Sequence, residues 1–308
     1  MARRRQKGHN INGIILFDKP IKLTSNQALQ NVKKLLNANK AGHTGSLDPL
    51  ATGLLPICLG EATKVSSYLL SADKSYTVQC QFGVRTDSAD ADGNVIETRP
   101  VKELSVARIT SVMQQFKGSI SQVPPMHSAI KQNGVPLYKL ARQGIEVERQ
   151  SRQITIYDID LVDYHDDILE FAVSCSKGTY IRTLVDDIGE VLGCGAHVTM
   201  LRRTRVGPFD MEGAVTWEKL QILQSQGNEA VLQAILPIDE GLKLMPAVNL
   251  TEDAAFYLQK GQAVFIPHNK NKGFVRLFMG DNRFLGIGQM QEDGKVAPKR
   301  LMNLAKIG

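Results

Sequence analysis

K-A-G-H-T-G-S-L-D-P-L-A-T-G-L-L-P-I-C-L-G-E-A-T-K, residues Lys40–Lys64, is too rich in glycine and proline to form one regular element. It reads as a shaped loop that runs into a short buried strand, Leu54–Leu59, broken at Pro56. Asp48 is the acid inside the loop, with His43 and Thr44 just before it. An acid before a proline either bonds to its own turn or stands in a cleft to do chemistry.

Outward from the loop, the pattern is strands followed by helices. Ile11–Phe17 reads as a buried strand. Thr24 and Gln27 form a capping box for an amphipathic helix over Ser25–Asn37. On the other side, Glu61–Leu70 reads as a helix and Ser75–Phe82 as a half-buried strand, with Tyr76, Val78, Cys80 and Phe82 on one face. D-S-A-D-A-D-G at Asp87–Gly93 resembles part of a calcium loop but lacks the required downstream acid, so it is read as a turn without metal.

Ser105 caps a helix through Phe116, and Gln122–Arg152 leaves the sheet as a proline- and glycine-marked excursion. Gln153–Tyr164 and Ile168–Ser174 form a hairpin through Asp166-Asp167. Ile181, Leu184, Val185, Ile188 and Leu192 make a helix stripe, His197–Val206 a strand, and Trp217–Ile235 a largely helical stretch. Together these predict an α+β protein with a mixed, largely antiparallel central sheet and flanking helices. Past a boundary at Gly241–Pro246 comes a small β-rich unit, punctuated by glycines.

With 308 residues, 43% hydrophobic and 22% charged, the chain can bury a sizeable core. No apolar run of about eighteen residues spans a membrane, and no apolar segment follows the basic start, so membrane and export classes are set aside. Cys58, Cys80, Cys175 and Cys194 show no C-x-x-C pairing and read as buried free thiols of a cytoplasmic protein. The net charge is +6. Cations gather at Arg3, Arg4, Arg5, Lys7, Lys19 and Lys22, at Arg202, Arg203 and Arg205, and beyond Pro246, where nine Lys and Arg face five Asp and Glu. Three such clusters predict a nucleic-acid partner.

The loop motif G-H-T-G-S-L-D-P-L-A-T-G-L-L-P-I-C-L-G-E-A-T-K resembles the signature of the bacterial tRNA pseudouridine-55 synthase family, TruB. N-G-I-I-L-F-D-K-P at Asn12–Pro20, D-K-S-Y at Asp73–Tyr76, C-S-K-G-T-Y-I-R-T-L at Cys175–Leu184 and Leu201-Arg202 resemble its other motifs, in the family's order. V-A-P-K-R at Val296–Arg300 resembles the end of a PUA domain, an RNA-binding barrel.

The resemblance implies a pseudouridine synthase domain over 1–245, with a thumb-like RNA-gripping insertion at 122–152, and a PUA-like domain over 246–308. It implies isomerisation of a uridine in the tRNA T loop, without cofactor, metal or guide RNA, by a monomer. It makes Asp48 the nucleophile and Arg182 its supporting cation. Tyr76 stacks on the flipped base and sits near its C5, Tyr180 and Leu201 wall the pocket, and His43 fills the RNA loop as the base leaves. Two alternatives stay open: an RNA-binding protein that kept the fold, and a synthase acting on another RNA.

Overall fold

The computed structural model describes residues 8–280 and 282–303, so Arg3, Arg4, Arg5 and Lys7 lie outside the described residues. In chain order the first half runs β1 (Gly13–Lys19), α1 (Ser25–Leu35), β2 (Ala41–His43), β3 (Thr52–Leu59), α2 (Ser66–Leu70), β4 (Lys74–Phe82), the hairpin β5 (Val84–Thr86) and β6 (Val95–Thr98), α3 (Val106–Gln115) and β7 (Gly118–Gln122). A two-stranded hairpin, β8 (Lys131–Gln132) and β9 (Val135–Pro136), precedes α4 (Leu137–Ala141). Then come β10 (Arg152–His165), β11 (Ile168–Cys175), α5 (Ile181–Leu192), β12 (Ala196–Val206), α6 (Trp217–Ser225) and α7 (Asn228–Leu232).

The central sheet has the order β1-β3-β12-β4-β11-β10-β7, with β2 also on β3. Every pairing is antiparallel except a two-rung parallel contact of β12 with β3, at Arg202–Thr52 and Arg203–Gly53. β1 shows why the sheet is covered on both sides at this end. Ile15 and Phe17 join a large core with α1, α3, α5 and α6, while Ile14 and Leu16 point into a second core. Burying each such side chain contributes about 1.5–3 kcal/mol. β4 alternates as expected, Lys74, Tyr76, Val78, Cys80 and Phe82 being buried and the residues between them half-buried. Asp166 and Asp167 turn the β10–β11 hairpin at φ 48° and 62°.

Three local expectations shift. β3 is not broken at Pro56: the proline stays in the strand and its carbonyl accepts the Thr44 N–H at 3.2 Å. Glu61–Leu70 splits into a 3-10 turn, Gly60–Lys64, and α2. Trp217–Ile235 splits into α6 and α7 at Gly227, whose φ of +108° no helix tolerates. All four cysteines are buried and free. Among the described residues no helix is long and apolar enough to cross a membrane.

The last unit is a curled five-stranded sheet, order β13-β15-β16-β17-β14, made of β13 (Ala247–Leu250), β14 (Val264–Phe265), β15 (Phe274–Met279), β16 (Arg283–Met290) and β17 (Lys295–Leu301), with α8 (Glu252–Gln259) against it. It is not hung on a free linker. Phe278, Phe284 and Ile287 complete the second core with Ile14, Leu16 and Leu54. Lys64 Nζ donates to Leu301 O at 2.9 Å, and Tyr68 meets Phe274 edge-on at 5.7 Å.

α5 is tied to the β5–β6 hairpin by ions. Arg85 donates to both Asp186 oxygens at 2.8 and 3.0 Å, and Arg99 reaches Glu97 at 2.6 Å and Glu190 at 3.0 Å. Asp187 lies half-buried beside them. Burial, then the Asp186 and Glu190 charges, push its carboxyl up to about 6. A raised folded value means stability that is present below the unfolded value near 3.8 and lost as pH rises through about 6. Asp187→Asn is therefore expected to raise stability at pH 7 by about 1 kcal/mol, after allowance for screening at a half-buried site, and to have no effect near pH 3.5. Urea melts at both pH values check this; a loss at pH 7 refutes it.

Candidate active site

The Asp48 loop is strapped from both sides. From the start of α1, Ser25 Oγ accepts the Leu47 N–H at 2.7 Å and donates to Leu47 O at 3.2 Å. From β12, Arg203 donates to Leu54 O at 2.8 Å and to Gly45 O at 3.2 Å. Gly53 sits at φ +97° where β3 meets β12, and a Cβ there would strike the Arg203 backbone. Glycine is what allows Arg203 to come close enough to hold the loop.

Asp48 then faces Arg182, Nε to Oδ2 at 3.0 Å. Arg182 is 5% exposed, and its other two nitrogens are also engaged. Nη1 donates to Ser88 O at 3.0 Å and lies 3.4 Å from Asp90 Oδ2, and Nη2 donates to His127 O at 2.7 Å. Asp90 is itself fixed, taking hydrogen bonds from Ser88 Oγ at 2.5 Å and the Asp92 N–H at 3.2 Å. The acidic turn read as having no metal role thus builds the socket for Arg182.

Crowding by protein raises the Asp48 carboxyl above its ordinary value; Arg182 opposes this, Asp90 adds to it, and Lys19 opposes it again. The carboxylate keeps an open side, with 41% of the side chain exposed, so the rise is smaller than full enclosure would give. Asp90, by contrast, has 6% of its side chain exposed. Of the two acids on Arg182, Asp48 is the one a substrate can touch.

Tyr76 lies on β4 opposite Arg203 of β12, and Leu201 opposite Val78, so all four share the inner face of the sheet. The Tyr76 hydroxyl sits beside the Arg203 guanidinium and within the field of Asp48. Burial pushes the phenol up to about 12, with Arg203 pulling the other way. Tyr180 precedes α5, half-buried, and also feels the charges of Arg182 and Asp48. His43 ends β2; burial and then Arg203 lower its pKa, and its Nδ1 has no hydrogen-bond partner. Asp48 and Arg182 are in direct contact, and the Tyr76 and Tyr180 hydroxyls lie within the field of Asp48. Leu201 and His43 join them through the Arg203 strap.

Part of the basic surface read from the sequence is interior. Lys19 is fully buried, bonded to Pro20 O at 2.9 Å and Leu23 O at 2.7 Å, and its amine is lowered to about 8 by burial, with Asp48 opposing. Arg203 is 1% exposed and Arg202 forks onto Asp18 at 3.1 and 2.7 Å. Neither Lys19 nor Arg203 can meet a phosphate. A part-exposed carboxylate held beside a buried cation can attack an electrophilic carbon and leave again.

Two solved structures share this architecture across nearly the whole chain. "Crystal Structure of a Cbf5-Nop10-Gar1 Complex" holds a chain 28% identical with a TM-score of 0.74, covering 97% of this chain and 85% of that one. "Structure of H/ACA RNP bound to a substrate RNA containing 2'-deoxyuridine" holds one 25% identical at 0.75, covering 98% and 91%. The fold is the pseudouridine synthase fold followed by a PUA-like sheet. The family description "TruB family pseudouridylate synthase (N terminal domain)" matches residues 33–181, and the descriptions "tRNA pseudouridylate synthase B C-terminal domain" and "Pseudouridine synthase II TruB, C-terminal" match 182–243 and 246–302. The tRNA pseudouridine synthase B of Nitrosococcus oceani is 54% identical over 299 residues, 97% of each chain. That of Coxiella burnetii is 51% identical over 293 residues, 95% of each. The chain belongs to the TruB family of pseudouridylate synthases.

Proposed function

We propose that this protein isomerises uridine to pseudouridine in the T loop of tRNA, with Asp48 as nucleophile. The observation that carries this reading is the Asp48–Arg182 pair at 3.0 Å, open to solvent on the Asp48 side alone. The relatives that match nearly its whole length bear the name tRNA pseudouridine synthase B, which supports tRNA as the substrate.

The target base leaves its stack to reach Asp48, at a cost of a few kcal/mol. Asp48 promotes breakage of the N1–C1′ bond, the uracil turns, C5 bonds to C1′, C5 gives up its proton, and N1 takes one up. Atoms in equal atoms out, so the reaction consumes no co-reactant. Arg182 keeps Asp48 ionised in the closed site. Tyr76 lies under the base, Tyr180 and Leu201 confine it while it turns, and His43 takes its place in the RNA loop. Incubation with unmodified tRNA, followed by carbodiimide mapping, is expected to show one new pseudouridine, in the T loop. Unchanged T-loop uridine sinks this reading.

The C-terminal sheet adds phosphate contacts in this proposal. Its removal would bare Ile14, Leu16 and Leu54, so substitution tests it more cleanly than truncation. Lys299 and Arg300 are exposed on β17. Lys299→Glu with Arg300→Glu is expected to weaken tRNA binding and flatten the plot of log affinity against log salt by about 1–2 units, while the rate at saturating tRNA holds. An unchanged salt slope removes these two residues from the interface.

A further inference from the structure

We propose that Gln122 is a positioning residue that couples the excursion 123–151 to the Asp48 site. Gln122 is the last residue of β7, paired with Arg152 of β10, so the excursion leaves and returns at one rung of the sheet. Its side chain does not face solvent; the residue is 2% exposed. Oε1 accepts the Tyr180 N–H at 2.8 Å and Nε2 donates to Tyr180 O at 3.1 Å. A carboxamide bonded to both polar groups of one residue fixes that residue's height and its rotation together.

Tyr180 is the cap of α5 and has no side-chain cap of its own. The orientation of the first turn of α5 therefore depends on Gln122. Two residues later Arg182 leaves that turn, and its Nη2 returns to the excursion at His127 O, 2.7 Å away. Ser128, 5% exposed, lies beside the Tyr180 hydroxyl. The foot of the excursion and the start of α5 are thus joined by the Gln122 amide and by His127 O. The foot cannot shift without carrying Tyr180 and Arg182 with it. RNA engaged by the excursion is then sensed at Asp48 through the placement of Arg182, and the pocket is completed only when the foot is seated.

The coupling rests on the reading of Arg182 and Tyr180 as site residues, so the test carries a reference. Gln122→Met keeps the length and removes both hydrogen bonds. Gln122→Glu keeps the acceptor for Tyr180 N–H and loses the donor. Arg182→Lys is the reference. Single-turnover rate at saturating tRNA, tRNA Kd and melting temperature are measured for each. Misplacement of a reacting group by about 1 Å can cost about 10²-fold. Gln122→Met is expected to slow the single-turnover step about 30- to 100-fold with Kd within about 3-fold of wild type, and Gln122→Glu to fall between. Should Met fail to fold, Glu carries the test by the same split between rate and Kd. A wild-type rate in the Gln122 variants with Arg182→Lys impaired overturns the coupling and leaves the site standing. A wild-type rate in all three overturns the site reading with it. A loss confined to Kd also overturns the coupling.

Discussion

Asp48→Asn is expected to hold tRNA and not convert it. Removing a covalent catalyst should lower the single-turnover rate at least ~10³-fold, about 4 kcal/mol of barrier. Binding should stay within about 3-fold, because the change touches one carboxylate and keeps its size. Stability should not fall. Protein crowding raises the Asp48 carboxyl against the pull of Arg182, so its contribution to folding is present below 3.8 and lost as pH rises through the folded value. A neutral amide escapes that loss at pH 7, and Arg182 retains Asp90, Ser88 O and His127 O. The melting temperature of Asp48→Asn is expected to match or exceed that of wild type. For the same reason, the acid side of the wild-type rate profile should lie above pH 3.8. Turnover near wild type removes Asp48 from the chemistry; a lower melting temperature refutes the electrostatic account.

Tyr76 carries the second large effect. From the motif it should present its ring to a flipped base; in the fold it is 8% exposed, on β4 between β11 and β12. The hydroxyl stands beside Arg203 and within the field of Asp48, and it is expected to be the larger contributor. Tyr76→Phe keeps the ring and should react about 10²–10⁴-fold more slowly, the usual effect of a positioned proton-transfer group. Tyr76→Leu should lose a further ~1–3 kcal/mol of base stacking, seen as weaker binding. Phe also takes a neighbour from the buried Arg203, so the melting temperature is read alongside. A wild-type single-turnover rate in Tyr76→Phe confines Tyr76 to packing.

Local signals were legible because their partners are near in the chain. The Thr24–Gln27 capping box, the Ser105 cap and the alternation of β4 are all present. Burial of charge was not legible by local reading. Lys19 and Arg203 look like surface cations in a string of letters, and only distant carbonyls make their enclosure possible. One signal was available: Arg203 alternates with Leu201 and so faces inward on β12. The Asp90 socket was missed because the turn was tested for a metal, whereas its partner is a guanidinium 92 positions away. The motifs single out Asp48 and Arg182 as candidates; their 3.0 Å contact is a property of the fold.

The strap on the Asp48 loop sets an order of events during synthesis. Arg203 grips Leu54 O and Gly45 O across 149 and 158 positions of chain. Helices and hairpins upstream can form as they leave the ribosome, since their contacts are local. The loop around Asp48 cannot take its shape until β12 has emerged and slid in beside β3. A nascent chain short of Arg203 lacks the strand that joins β3 to β4, and its Asp48 loop lacks the strap. At roughly 5–20 residues per second, that interval lasts on the order of ten seconds or more. Competence arrives late and in one step, when a distant strand closes over a loop made long before it.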